Sequence, residues 1–170
     1  MKKLVFILTA VITLTASQFA SAQKTIVDVA VGNEDFSTLV TALKAADLVS
    51  ALQGNGPFTV FAPNNAAFGK VDSETLGMLL KPENKDALAG ILTYHVVSGK
   101  LAAADVVAAL KKGNGSVTLE TLNGQSITVM QKDGKIWLQD QKGSYSEIIA
   151  TDVMGSNGVI HVIDTVVMPE

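Results

Sequence analysis

Gly158-Val159-Ile160-His161-Val162-Ile163-Asp164 is the stretch whose reading decides how this chain folds. Successive side chains of a strand point to opposite faces, and both faces here are apolar apart from His161 and Asp164. A strand buried on both faces lies inside a fold. Lying so close to the C-terminus, it must insert between strands made earlier, so the last residues lock the domain. Asn157-Gly158 ahead of it is a turn. His161 shares a face with Val159 and Ile163 and is read as a hydrogen-bonded core residue. A buried histidine on this strand makes stability fall in acid. Asp164 is placed to accept hydrogen bonds from backbone amides near the strand's end.

Working outward, the second half of the chain has period two. Ile127 and Val129 alternate with Thr128 and Met130. Asp133-Gly134 is a two-residue hairpin turn returning through Lys135-Ile136-Trp137-Leu138, and Ser144 to Ile149 reads as a further strand. The first half is helical instead. Phe36, Leu39, Val40 and Leu43 follow i, i+3, i+4, i+7 spacing, and Leu88, Ile91 and Leu92 form a second apolar stripe after Pro82. Asp72 is positioned to cap a short helix, and Ala102 to Leu110 reads as another, ending at Gly113. Between the helices stands Thr59-Val60-Phe61-Ala62-Pro63-Asn64-Asn65-Ala66-Ala67-Phe68. Its first residues suit a buried strand, which Pro63 ends by removing a ladder donor. Asn64 or Asn65 then caps the following turn, and Phe68 packs that turn back on the core. The alternative is that the two amides contact a ligand.

The chain has 170 residues, a length for one domain. Lys2-Lys3, an apolar stretch from Leu4 to Leu14 and Ala20-Ser21-Ala22 have the order of a secretory signal peptide, residues 1–22, leaving residues 23–170 as a single domain. The stretch is shorter than the roughly 20 residues a spanning helix needs. Cleavage removes two lysines and no acid, taking the net charge from −3 to −5. With no basic block, nucleic acid and anionic lipid are poor partners. There is no cysteine, so an exported product, periplasmic or extracellular, relies on its core alone. The product is expected to be soluble, with no membrane insertion.

Three segments, in order, resemble the fasciclin domain family. Thr59 to Phe68 is similar to its first signature box, Leu92-Thr93-Tyr94-His95-Val96-Val97 to its central Tyr-His motif, and Asn157 to Asp164 followed by Val167-Met168-Pro169 to its second box. The resemblance covers nearly all of the chain after residue 22. It implies an α+β fold, a wedge of two β-sheets with helices from the first half packed over it. Thr59, Phe61, Pro63, Phe68, Gly158, His161 and Asp164 are then residues of the structural motif. It also implies adhesion, with Tyr94 and His95 as candidate partner-binding residues, to which the loop reading adds the Asn64 and Asn65 amides. Tyr94 and His95 sit at a helix-to-strand junction, where alternation would turn one inward and leave the other accessible.

The residues offer no catalytic constellation. Neither G-x-S-x-G nor a glycine-rich phosphate loop occurs. His161 and Asp164, three apart in a strand, face opposite ways and cannot form a dyad. The two histidines lack zinc-motif spacing, so neither a metal nor another cofactor is expected. Trp137 lies on the face opposite Ile136 and Leu138, either packing across the hairpin or exposed for stacking on a sugar or a partner. The function expected is a secreted, non-catalytic binding module for a cell-surface or extracellular-matrix protein or polysaccharide. Weak self-association is a further structural role. A small-molecule carrier or catalyst with a pocket between helices and sheet is the alternative.

Overall fold

The structure is a computed structural model and describes residues 24–170. The signal segment expected at residues 1–22 lies outside the described residues. In chain order the helices and strands are α1 (Ile26–Val31), α2 (Ser37–Ala45), α3 (Val49–Gln53), β1 (Phe58–Pro63), α4 (Asn65–Phe68), α5 (Ser73–Leu79), α6 (Lys85–Tyr94), β2 (Val96–Ser98), α7 (Ala103–Lys112), β3 (Ser116–Glu120), β4 (Ser126–Lys132), β5 (Lys135–Gln139), β6 (Tyr145–Gly155) and β7 (Gly158–Ile163). Short 3-10 turns precede α2 and α6.

Local chemistry explains most boundaries. Thr25 and Asp28 form a reciprocal capping box at the start of α1. Asp72 accepts from the Thr75 amide to start α5. Pro82 occupies the first turn of the 3-10 segment leading into α6, where its missing N–H is harmless. The β4–β5 hairpin turns through Asp133 (φ 54°) and Gly134 (φ 77°), both left-handed, as the tight primed turn requires.

The strands form one seven-stranded sheet in the order β2-β1-β7-β6-β5-β4-β3. The two sheets expected for the wedge are its two halves, joined through β6. This long strand pairs with β5 at its start and with β7 over the rest, and register shifts near Ala150 bend it between the two roles. The far edges approach each other as well. Val97 and Thr121 form an antiparallel bridge, and the Leu122 amide donates to Val96 O at 2.8 Å. The sheet thereby curls into a barrel-like wedge.

The C-terminal strand β7 lies inside, parallel to β1 on one side and antiparallel to β6 on the other. It separates two apolar clusters. On one side Ile160 joins Ile26, Leu39, Leu43, Leu52, Leu88 and Leu92 beneath the helices. On the other, Ile163 joins Phe61, Tyr94, Leu110, Ile127 and Leu138 inside the curl of the sheet. Burial on both faces is what the apolar composition of this strand demands, because each face has its own core to fill.

Candidate functional site

The stretch Thr59 to Phe68 turns out to be densely wired into the fold. The Thr59 hydroxyl donates to Gly99 O (2.7 Å) and accepts from the Leu101 amide (2.9 Å), fastening β1 to the loop before α7. Pro63, the last residue of β1, lies opposite Ile163 in the ladder. Asn64 caps α4, its Oδ1 accepting from the Ala67 amide at 2.8 Å. Asn65, although exposed, is occupied: its Oδ1 accepts from the Thr38 amide and its Nδ2 donates to Glu34 O, tying α4 to the start of α2. Phe68 is buried beneath the helices. Asn64→Ala is expected to cost about 1 kcal/mol, the usual value of an N-cap, measured as a shift of the urea midpoint at unchanged slope.

Tyr94 and His95 require a correction. Alternation was expected to leave one of them accessible, yet they are 0% and 2% exposed. The period of two does not apply, because Tyr94 ends α6 and His95 is its helical C-cap, so both lie on the turn that packs against the sheet. The Tyr94 hydroxyl donates to Ser126 O at 2.9 Å. His95 Nδ1 lies 2.8 Å from Ile91 O, and its Nε2 accepts from the Val167 amide at 3.3 Å. Those partners fix the tautomer with hydrogen on Nδ1. Burial depresses the His95 pKa to about 4, despite the Ile91 carbonyl favouring the charged form. Asn64, Asn65, Tyr94 and His95 therefore form no common exposed patch.

His161 is 1% exposed. Its Nε2 lies 2.7 Å from Leu101 O, its Nδ1 accepts from the Asp152 amide at 3.4 Å, and its ring stacks on Phe61 with centroids 5.9 Å apart. All four imidazole nitrogens of the two histidines thus face backbone partners, leaving none directed at a metal. No cluster of three ligating side chains occurs among the described residues. Asp164 Oδ1 accepts from the Glu147 amide (2.9 Å), and Oδ2 accepts from Lys70 Nζ (2.9 Å). Burial pushes the Asp164 carboxyl up, but the Lys70 ammonium, the Glu147 amide and the Thr165 hydroxyl outweigh it and hold the pKa below the ordinary carboxylate value.

Two structural roles were invisible in sequence. Asn157 is a hub: Oδ1 accepts from the Ile26 amide, and Nδ2 donates to Leu52 O and Gly54 O, joining the β6–β7 turn to the helical layer. Buried Asp140 accepts from the Ser144 and Met168 amides, holding the tail after β7. Apart from Ser144, their partners are distant in the chain, and only the assembled fold brings them near.

Between helices and sheet, where a carrier or catalyst would need a pocket, the cavities are about 20 Å³ each and lined by apolar side chains. That is room for about one water molecule. The larger concavities lie at the surface. One, of about 310 Å³, opens on the outer face of the β4–β5–β6 ribbon and is lined by Met130, Lys132, Asp133, Trp137 and Tyr145.

The topology, the interior C-terminal strand and the use of polar side chains as internal fasteners define an α+β wedge that presents an outer surface rather than an internal chamber. The sequence profile of the Fasciclin domain matches residues 34–169, and the chain belongs to the fasciclin domain family. A Synechocystis protein, sll1483, is 54% identical over 145 residues, spanning 85% of this chain and 73% of its own length. The immunogenic protein MPB70 of Mycobacterium bovis is 33% identical over 159 residues, 91% of this chain and 74% of that protein. The transforming growth factor-beta-induced protein ig-h3 of Sus scrofa is 33% identical over 145 residues, which are 85% of this chain and 19% of that protein. Among solved structures, a FAS1 domain pair from the insect cell adhesion molecule Fasciclin I superposes with a TM-score of 0.73 at 22% identity, over 84% of this chain and 50% of that one. At that identity the likeness establishes the fold. No helix among the described residues is long and apolar enough to cross a membrane.

Proposed function

We propose that this chain is an exported, non-catalytic binding module that recognises a cell-surface or extracellular-matrix component, protein or polysaccharide, and contributes to adhesion. The observation that carries the reading is the fate of its polar side chains. His95, His161, Asp164 and Asn65 spend their side-chain hydrogen bonds on the fold and Asn64 Oδ1 caps α4, and the space between helices and sheet is filled. What remains for function is the outer surface. The Fasciclin I domain pair comes from a cell adhesion molecule, and a mycobacterial relative, 33% identical over 153 residues, is a cell surface glycolipoprotein; both support this reading. Residues 1–22 serve as the export signal, so the mature N-terminus is Gln23. Nucleic acid is not a partner, and any self-association is weak.

The test immobilises residues 23–170 and measures retention of whole cells, purified matrix proteins and cell-wall polysaccharides. Saturable retention of at least one class, competed by free protein, is the expected result. Uniform, non-saturable retention across all three classes would refute the proposal.

A further inference from the structure

The outer face of the β4–β5–β6 ribbon carries a group of partly or fully exposed side chains that belongs to neither apolar core. Trp137 lies opposite Met130 on β4 and Glu147 on β6, so these three share the face turned away from buried Val129 and Leu138. Tyr145 stands beside them, 52% exposed, its hydroxyl oxygen accepting from Gln139 Nε2 at 2.9 Å. Lys135 and Glu147 pair at 2.8 Å. The Trp137 Nε1–H is shielded from solvent and has no acceptor among the described residues. Leaving such a donor unpaired is unfavourable, and no acceptor within the hairpin meets it.

We propose that this cleft binds a sugar ring of a neutral polysaccharide, stacked on Trp137 and Tyr145. The inference rests on the binding-module reading and names its site and its ligand class. A pyranose has an apolar C–H face and a rim of hydroxyls. The cleft offers the complement: aromatic surface from Trp137 and Tyr145, with Lys132 and Asp133 in its lining and the Lys135–Glu147 ion pair on the same strand face beside it. The two cations are balanced by the two anions, which favours a neutral ligand over an ionic one. At about 310 Å³ the cleft lies at the lower end of the roughly 300–1,000 Å³ of small-ligand sites, a size for a ring rather than for the face of a protein. A peptide strand cannot add here, because β5 is already paired on both sides.

Trp137 is the only tryptophan in the chain, so its emission reports this site alone. The experiment titrates residues 23–170 with cellohexaose, laminarihexaose and chitohexaose. A saturable change in emission with at least one is expected. Tyr145→Ala, which keeps the reporter and removes an exposed side chain, should weaken that binding about tenfold or more. Trp137→Ala, followed by calorimetry after circular dichroism has verified its fold, should abolish it. Unchanged emission with all three hexaoses, or equal affinity in the Tyr145→Ala protein, overturns the sugar site. Retention of cells or matrix proteins, measured on wild type and Tyr145→Ala in parallel, separates the two readings. If both proteins are retained equally while no hexaose binds, the cleft assignment fails and the binding-module reading stands. If neither is retained and no hexaose binds, both fail.

Discussion

Truncating the chain before Gly158 is expected to abolish folding, although the deleted segment includes only one strand. That strand pairs with β1 on one side and β6 on the other, and its loss leaves two sheet fragments with unpaired edges. Val159, Ile160 and Ile163, and Val166 and Val167 beyond them, are all buried. Each contributes about 1.5–3 kcal/mol by burial, and five together match the whole stability of an ordinary domain, about 5–15 kcal/mol. Far-ultraviolet circular dichroism and proton NMR dispersion of the truncated protein check this. A cooperative urea transition in the truncated chain would show that β7 is an accessory. A subtler version is Gly158→Val. Gly158 lies opposite Phe58, and a Cβ added there would run into the Phe58 carbonyl oxygen. Backbone cannot yield as a side-chain tip can, so about 3 kcal/mol or more of destabilisation is expected. Removing Glu170 alone, an exposed residue, should leave the urea midpoint within about 0.5 kcal/mol of wild type.

Sequence spoke clearly wherever one physical demand acted alone. The stripe Phe36, Leu39, Val40, Leu43 is entirely buried, because an amphipathic helix has one face to cover and the spacing says which. Burial of β7 on both faces was legible for the same reason. Boundaries failed where two demands competed. Ser144 to Ile149 appeared to end at Ala150-Thr151-Asp152, where apolar alternation stops. The strand instead runs on to Gly155, since its outer side faces solvent and β7 supplies the ladder across a bulge. The final strand, read as Gly158 to Asp164, ends at Ile163. There Asp164 turns its carboxylate to the Glu147 amide, and Val166 and Val167 are buried as an irregular segment. The helix end at Tyr94 misled for a third reason. A Tyr-His pair at a helix-to-strand junction reads as one inward and one accessible residue until its partners, Ser126 O and the Val167 amide, come into view from 32 and 72 residues away. The candidate cleft was half legible: Trp137 reads as lying on the face opposite Ile136 and Leu138, packed across the hairpin or exposed, but Tyr145 and Met130 join it only through the pairing of three strands.

Acid sensitivity is where that misreading matters, because sequence pointed to His161 and the structure points to His95. The His95 pKa falls from 6.5 to about 4, driven by burial. A histidine with a depressed folded-state value contributes stability that is fully present above the unfolded value and is lost as pH falls towards the folded one. The window is therefore pH 6.5 down to about 4, and the loss across it is about 3 kcal/mol at 1.36 kcal/mol per unit. Geometry gives the cause. A second proton on Nε2 would face the Val167 N–H, donor against donor, in a site with no access to water. Asp164 acts in the same direction at lower pH: its lowered pKa makes its contribution disappear only as pH drops below about 4. The two groups separate by window. Urea unfolding at pH 7.5, 5.5 and 4.0 should show the wild-type free energy falling throughout this range. His95→Gln should start from a lower value, because it disturbs a packed site, but decline far less over the same interval. The NMR titration of the His95 C2 proton should place its midpoint well below 6. Should His95→Gln lose as much stability as wild type between pH 7.5 and 4.0, the junction of α6 and β2 is not the acid-sensitive point of the fold.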